Sequence, residues 1–240
     1  MRLTDFSTLT FDCYGTLIDW ESGIYTGLQP LLKRMEVPLS RDAVLELFAE
    51  YESDQEVQTP DMVYSDLLTE VHRRLAQNFA IALPDDAHRR FGMSVPDWPA
   101  FADSASSLQY LKKYYKLVIL SNVDRASFAG SNRRLAVDFD AVYTAQDIGS
   151  YKPNRGNFDY MLGQLGERGI DQARILHTAQ SLFHDHAPAK QLGLTSAWID
   201  RRHDQKGWGA TMPVGQTDLY DFRFTSMAEM VRAHQDDLRS

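Results

Sequence analysis

Short β-favouring runs recur along this chain with helical patterns between them, and that alternation restricts its fold more than any other feature. Leu117–Ser121 reads Leu-Val-Ile-Leu-Ser, a continuous apolar run of the kind that forms a strand buried on both faces. Leu9–Cys13, Ala141–Thr144, Arg174–Thr178 and Ser196–Asp200 are further runs of this type. Helical patterns fall at Ser104–Tyr115, Arg125–Leu135, Asn157–Arg168 and Ala187–Leu192. Asp218–Phe224 reads as a last edge strand and Thr225–Leu238 as a closing helix. The alternation predicts an α/β fold, a parallel sheet with helices on both faces. In such a sheet ligands bind beyond the carboxyl ends of the strands.

The stretch Asp19–Trp98 breaks this rhythm, because it holds amphipathic patterns and no strong strand. Ser40 is placed to cap a helix running to about Glu52, with Val44, Leu45, Leu47, Phe48 and Tyr51 on one broad face. Pro60 is placed to start another, which carries Val63, Leu67, Leu68, Val71, Leu75 and Phe79. The acidic run Glu50–Glu56 reads as a solvated helix face, and Val95–Pro99 as a rigid return. The expected organisation is a core of residues 1–18 and 99–240, with residues 19–98 inserted above the sheet as a helical cap.

Twenty-five lysines and arginines stand against 33 acidic residues, a net charge of −8. That balance argues against a nucleic-acid partner, since phosphate binding needs clustered cations, but leaves room for a small anionic substrate. Cys13 is the only cysteine, so no intramolecular disulfide can form. The longest apolar runs fall far short of a bilayer span, and Met1–Ser7 lacks a signal-peptide pattern. The expectation is a cytoplasmic protein with no membrane partner. Trp208, in the Gly-rich loop Lys206–Met212, reads either as surface or as a contact in a homodimer.

The candidate chemistry lies just past the strands. Asp12 ends the first, with Thr16 four residues on; Ser121 and Asn122 end the second; Lys152 follows the third; Ser181 and Asp185 follow the fourth. A lone aspartate at a strand end, or a lone Lys-Pro, is an ordinary cap or turn. Four such groups in this order are much harder to dismiss.

This order resembles the haloacid dehalogenase superfamily over nearly the whole chain. Phe11-Asp12-Cys13-Tyr14-Gly15-Thr16-Leu17 is similar to its first motif, Leu120-Ser121-Asn122 to the second, Tyr151-Lys152-Pro153 to the third and Ser181–Asp185 to the fourth. The resemblance implies a Rossmann-like core with an inserted helical cap, and Asp12 as nucleophile. Phosphatases of the superfamily carry a second aspartate two positions after the nucleophile; here that position is Tyr14, a poor proton donor at neutral pH. Asp185 is the only carboxylate in His177–His186, which is too few for a Mg²⁺ site. Asp followed two later by Tyr is instead similar to the L-2-haloacid dehalogenase branch, which needs no metal and no cofactor and acts at C2 of a small carboxylate.

That branch implies three catalytic residues. Asp12 attacks carbon and becomes an ester, Asp185 activates the water that hydrolyses it, and Lys152 keeps both carboxylates ionised. Tyr14, Thr16, Trp20, Ser121, Asn122 and Ser181 are the expected substrate-binding residues. The dehalogenases hold the halide with an arginine in the cap's first long helix; the matching stretch Leu47–Tyr51 has none. Their tyrosine six residues after the lysine is Phe158 here, and their asparagine in the fourth motif is Ser181. A departing amine has the opposite need from a halide and is better served by aromatic faces and carboxylates. Asp19-Trp20-Glu21 offers both. The chain resembles most the L-azetidine-2-carboxylate hydrolases, which open a strained ring at C2 to give 2-hydroxy-4-aminobutyrate. A haloacid dehalogenase, a phosphatase of the same superfamily and a non-catalytic binding module are the alternatives.

Several conspicuous residues have plainer readings. Cys13 alternates away from the nucleophile and reads as buried structure, and His177 as a satisfied core histidine. His184 and His186 point apart on a helix, which disfavours a shared metal. Gly163, Gly166 and Gly169 are no dinucleotide fingerprint and mark a weak helix and its end. Tyr110, Tyr114 and Tyr115 read as helix packing.

Overall fold

The computed structural model describes all 240 residues. Six parallel strands form one sheet in the order β3-β2-β1-β4-β5-β6. They are β1 (Thr8–Phe11), β2 (Lys116–Ser121), β3 (Ala141–Thr144), β4 (Ile175–Ala179), β5 (Ser196–Ile199) and β6 (Phe222–Phe224). This is the strand order of a Rossmann-like sheet, and the chain reverses direction across it between β1 and β4. β1 lies at the centre, with Thr10 beside Val118 on one side and His177 on the other. The central strands are apolar throughout because both faces are covered: Leu9, Phe11, Leu117, Ile119 and Leu176 are fully buried.

The core helices are α5 (Ser104–Leu111), α6 (Arg125–Leu135), α7 (Ala145–Ile148), α8 (Arg155–Glu167), α9 (Ala187–Gln191) and α10 (Met227–Asp237). Local capping explains several boundaries. Asp124 accepts from the Ser127 amide to start α6, and Asn154 from Gly156 to start α8 at Arg155, two residues before the sequence pattern suggested. Gly169, in the left-handed region, closes the turn after α8. α5 stops at Leu111, and Tyr115 turns inward to donate to the Leu3 carbonyl. Tyr110, Tyr114 and Tyr115 all pack around His234 of α10.

Four helices separate β1 from α5: α1 (Trp20–Leu32), α2 (Arg41–Gln58), α3 (Tyr64–Asn78) and α4 (Asp85–Gly92). Ser40 does cap α2, accepting from Ala43, but the helix continues past Glu52 to Gln58. α3 begins at Tyr64, because residues 59–62 form a turn closed by the Met62 amide on the Thr59 carbonyl. Gly23 is the residue on which the packing of α1 depends: a Cβ there would fall 2.2 Å from the Trp98 ring.

The largest departure from the sequence reading concerns Glu50–Glu56. Glu50 is exposed, but Glu52, Gln55 and Glu56 are buried at 4%, 6% and 7% exposure. They continue the stripe of Leu45, Phe48 and Ala49 at helical spacing. The buried face of α2 runs its whole length, apolar over the helix packing and acidic where it overhangs the strand ends. No helix is long and apolar enough to cross a membrane.

Candidate active site

One cavity opens at the carboxyl ends of β1, β2 and β4. It is lined from the core by Asp12, Tyr14, Ser121, Asn122, Lys152, Ser181, His184 and Asp185, and from the inserted helices by Trp20, Glu52, Glu56 and Tyr64. The sequence-derived residues therefore meet in one place, with Thr16 bonded directly behind them.

Lys152 organises the floor. Its buried ammonium lies 2.9 Å from Asp12 Oδ1 and 2.7 Å from Asp185 Oδ1, and it also donates to the Leu120 carbonyl at 3.1 Å. A lysine so placed stays protonated despite burial, because two carboxylates face it. Thr16 donates to Asp12 Oδ2 at 2.7 Å and accepts from the Gln180 amide at 2.9 Å. Burial pushes the Asp12 carboxyl up, the Lys152 charge and Thr16 pull it back, and Asp185 adds to the rise. The result is a carboxylate more basic than usual, with each oxygen held by one donor, as suits a nucleophile.

Asp185 differs. Burial opposes its charge, but Lys152 and the His177 ring hold it well below the usual carboxylate range. His177 Nε2 lies 3.0 Å from Asp185 Oδ1, and its Nδ1 is paired with Thr10 Oγ1 at 2.8 Å. His177 is a satisfied core histidine, as its sequence suggested, yet it also orients a site residue. Asp185 Oδ2 is buried with no protein partner.

Other residues are committed differently from expectation. Tyr14 lines the cavity and its ring packs T-shaped with Trp98, but its hydroxyl pairs with Ser131 Oγ at 2.8 Å. Burial raises that phenol well above its ordinary value, so it is no proton donor for the site. The Ser181 hydroxyl caps the wide turn Leu182–His186 and shares a proton with His184 Nδ1. The Asn122 side chain is used up on Lys152 N, Lys152 O and Glu56, which leaves only its main chain to meet a substrate. Ser121 Oγ is buried and unpartnered.

Asp19 and Glu21 do not serve the cavity. Asp19 caps α1 by accepting from Ser22, and Glu21 accepts from Arg202 and from the Ala210 amide. The acidic residues that the inserted helices bring to the cavity are Glu52 and Glu56. Tyr64 donates to Glu52 Oε1 at 2.5 Å, and burial still pushes that carboxyl up to about 7. Glu56 is raised well above its ordinary value by burial and by Glu52. The signal that finds them is the helical period of α2 continued past Ala49. Asn122 donates to Glu56 at 3.1 Å and so joins the overhanging helix to the core, while the Ser65 amide of α3 donates to Asp124 and the Tyr151 hydroxyl to the Met62 carbonyl in the turn before α3.

Elsewhere Cys13 is fully buried, while His186 bonds to Ser196 and the Ala179 carbonyl, away from His184. Trp208 is half-buried, and Phe158 packs edge-on against His177.

The family model of haloacid dehalogenase-like hydrolases matches residues 6–178. The chain is a haloacid dehalogenase-like hydrolase. The L-2-haloacid dehalogenase PA0810 shares the fold of this hydrolase at a TM-score of 0.76, with 21% identity over 95% of this chain and 98% of that one. The L-2-haloacid dehalogenase from Xanthobacter autotrophicus, solved with chloropropionic acid covalently bound, aligns at 0.74, with 15% identity over 96% and 98%. A segment of 71 residues, 30% of this chain, is 30% identical to the pyrimidine 5'-nucleotidase YjjG of Escherichia coli strain K12. That match spans 31% of the length of the nucleotidase.

Proposed function

We propose that this hydrolase displaces a protonated ring nitrogen from C2 of a small carboxylate through an ester on Asp12, without a metal, and that L-azetidine-2-carboxylate is its favoured substrate. The observation that carries the leaving group is the acidic wall: Glu52 and Glu56, both buried, line the same cavity as Asp12, and Lys152 is the only lysine or arginine lining it. A halide leaving here finds no arginine beside it, whereas a nitrogen finds two carboxyl groups with which to hydrogen-bond. The Trp20 ring, edging the same cavity, adds a π-face.

Ser121 Oγ and the main chain beside it receive the substrate carboxylate. Asp12 attacks C2 in line, the C2–N bond opens and ring strain is released. The Asp185 carboxylate, through Oδ2, aligns water on the Asp12 carboxyl carbon. Hydrolysis there frees 2-hydroxy-4-aminobutyrate, inverted at C2. A Mg²⁺-dependent phosphatase fits poorly. Asp185 is the only carboxylate that the turn after β4 brings to the cavity, and the Tyr14 hydroxyl is paired with Ser131.

Dehalogenation is the second reading, favoured by a fold shared with two L-2-haloacid dehalogenases. Turnover of L-azetidine-2-carboxylate, L-2-chloropropionate, fluoroacetate and a phosphate monoester, without added metal, separates the readings. Ring opening is expected to exceed chloride release in kcat/KM by ~10²-fold or more. Chloride release with no ring opening overturns the proposal.

A further inference from the structure

Glu56 is only half engaged. Its Oε1 accepts from Asn122 Nδ2 at 3.1 Å, while its Oε2 has no hydrogen-bond donor and stands 3.9 Å from the His184 ring. Glu52, one turn earlier, is already occupied by the Tyr64 hydroxyl. In the same cavity Ser121 Oγ and Asp185 Oδ2 are buried without partners. Buried polar atoms are nearly always paired, so a set left open around one cavity outlines a polar ligand. Ser121 fits its carboxylate, Asp185 a water, and Glu56 Oε2 a nitrogen.

The nitrogen sets a particular demand. It is cationic while its bond to C2 is whole and becomes a neutral amine as that bond breaks. A fixed carboxylate beside it holds the starting cation more strongly than the transition state, which slows the reaction. A carboxylic acid does the reverse.

We propose that Glu56 is a catalytic residue, the acid that protonates the departing nitrogen. This rests on the ring-opening reading above. An Asp12 oxygen forms the bond to C2, and the electron pair of the C2–N bond passes to nitrogen. The Glu56 proton follows it, so the amine leaves as an ammonium. Glu56 becomes a carboxylate paired with that ammonium, and recovers its proton from water when the product departs.

The surroundings support a proton on Glu56 at neutral pH. Glu56 feels Glu52 on its own helix, Tyr64 on α3, Tyr151 and Lys152 before α8, and His184 after β4, with Asp12 and Asp185 across the cavity. Burial and Glu52 favour the neutral acid, and Lys152 and the Asn122 amide oppose them. Burial also keeps the His184 ring neutral, its value lowered to about 4.

The test is Glu56→Gln, which preserves size and the acceptor for Asn122 but carries no acidic proton. Ester formation on Asp12 is followed by intact mass in a single turnover with L-azetidine-2-carboxylate. The expected result is a rate ~10²-fold lower or less still. Wild type should lose rate as pH rises through the titration of Glu56 and show a solvent deuterium isotope effect; the variant should show neither. Should the variant fold poorly, the wild-type profile decides alone: a rate flat through the alkaline range with no isotope effect overturns the role. Ester formation in the variant at the wild-type rate also overturns it while leaving the ring-opening reading intact. A wild type inert toward the azetidine overturns both.

Discussion

Asp185→Asn is expected to halt this hydrolase half-way, with the enzyme accumulating as an ester on Asp12 and steady-state turnover reduced by ~10³-fold or more. Asp185 lines the cavity; its Oδ1 is committed to Lys152 and His177, and its Oδ2 is buried and unpartnered. Once Asp12 is esterified, Asp185 is the carboxylate left beside Lys152. The asparagine preserves shape but presents either an amide N–H or a neutral carbonyl to the water. Intact-protein mass after mixing with substrate should show the adduct, and peptide mapping should place it at Asp12. An unmodified variant that still binds substrate would assign Asp185 to binding or to structure.

Lys152→Met should have a comparable effect through charge. The ammonium is the shared partner of two buried carboxylates, and removing one partner of a buried ion cluster costs about 3–5 kcal/mol. Part of that is relieved if one carboxyl takes a proton. Asp12 takes it in preference to Asp185, because its carboxyl is the one already raised and Asp185 keeps the His177 hydrogen bond. A protonated Asp12 cannot attack, so turnover at neutral pH should fall by ~10³-fold or more. Removing the cation raises the Asp12 value further. The residual rate of ester formation should therefore climb with pH across a range where the wild type is level on its acid side. Denaturant unfolding and a pH series of single-turnover rates measure the two effects. A variant within tenfold of wild type at neutral pH would remove Lys152 from the mechanism.

The core was legible in the sequence for a definite reason. Leu117–Leu120 is apolar because both faces of β2 are covered, and the cavity lies where such strands end. Asp12, Lys152 and Asp185 needed only that rule and their order. Glu52 and Glu56 escaped it, since charged residues on a helix are ordinarily solvated. The helical spacing from Leu45 through Phe48 and Ala49 to Glu52 and Glu56 was visible, but reading it required trusting period over polarity. Asp19 and Glu21 were tempting because they flank Trp20. Adjacent helical residues point in different directions, and these two became a cap and a partner for Arg202. Where the Tyr14 hydroxyl turns depends on Ser131, 117 residues away, and no local pattern carries that.

The covalent role of Asp12 is the claim on which the rest depends, and one labelling experiment addresses it. Enzyme in excess over L-azetidine-2-carboxylate is allowed a single turnover in H₂¹⁸O, and the Asp12 peptide and the hydroxy acid are both weighed. Water attacks the carboxyl carbon of Asp12, so the product oxygen is an old Asp12 oxygen. The expected result is ¹⁸O in the Asp12 carboxylate and an unlabelled hydroxyl in the first product. Label in the product with none in Asp12 would mean that water attacks C2 directly, and would contradict the account.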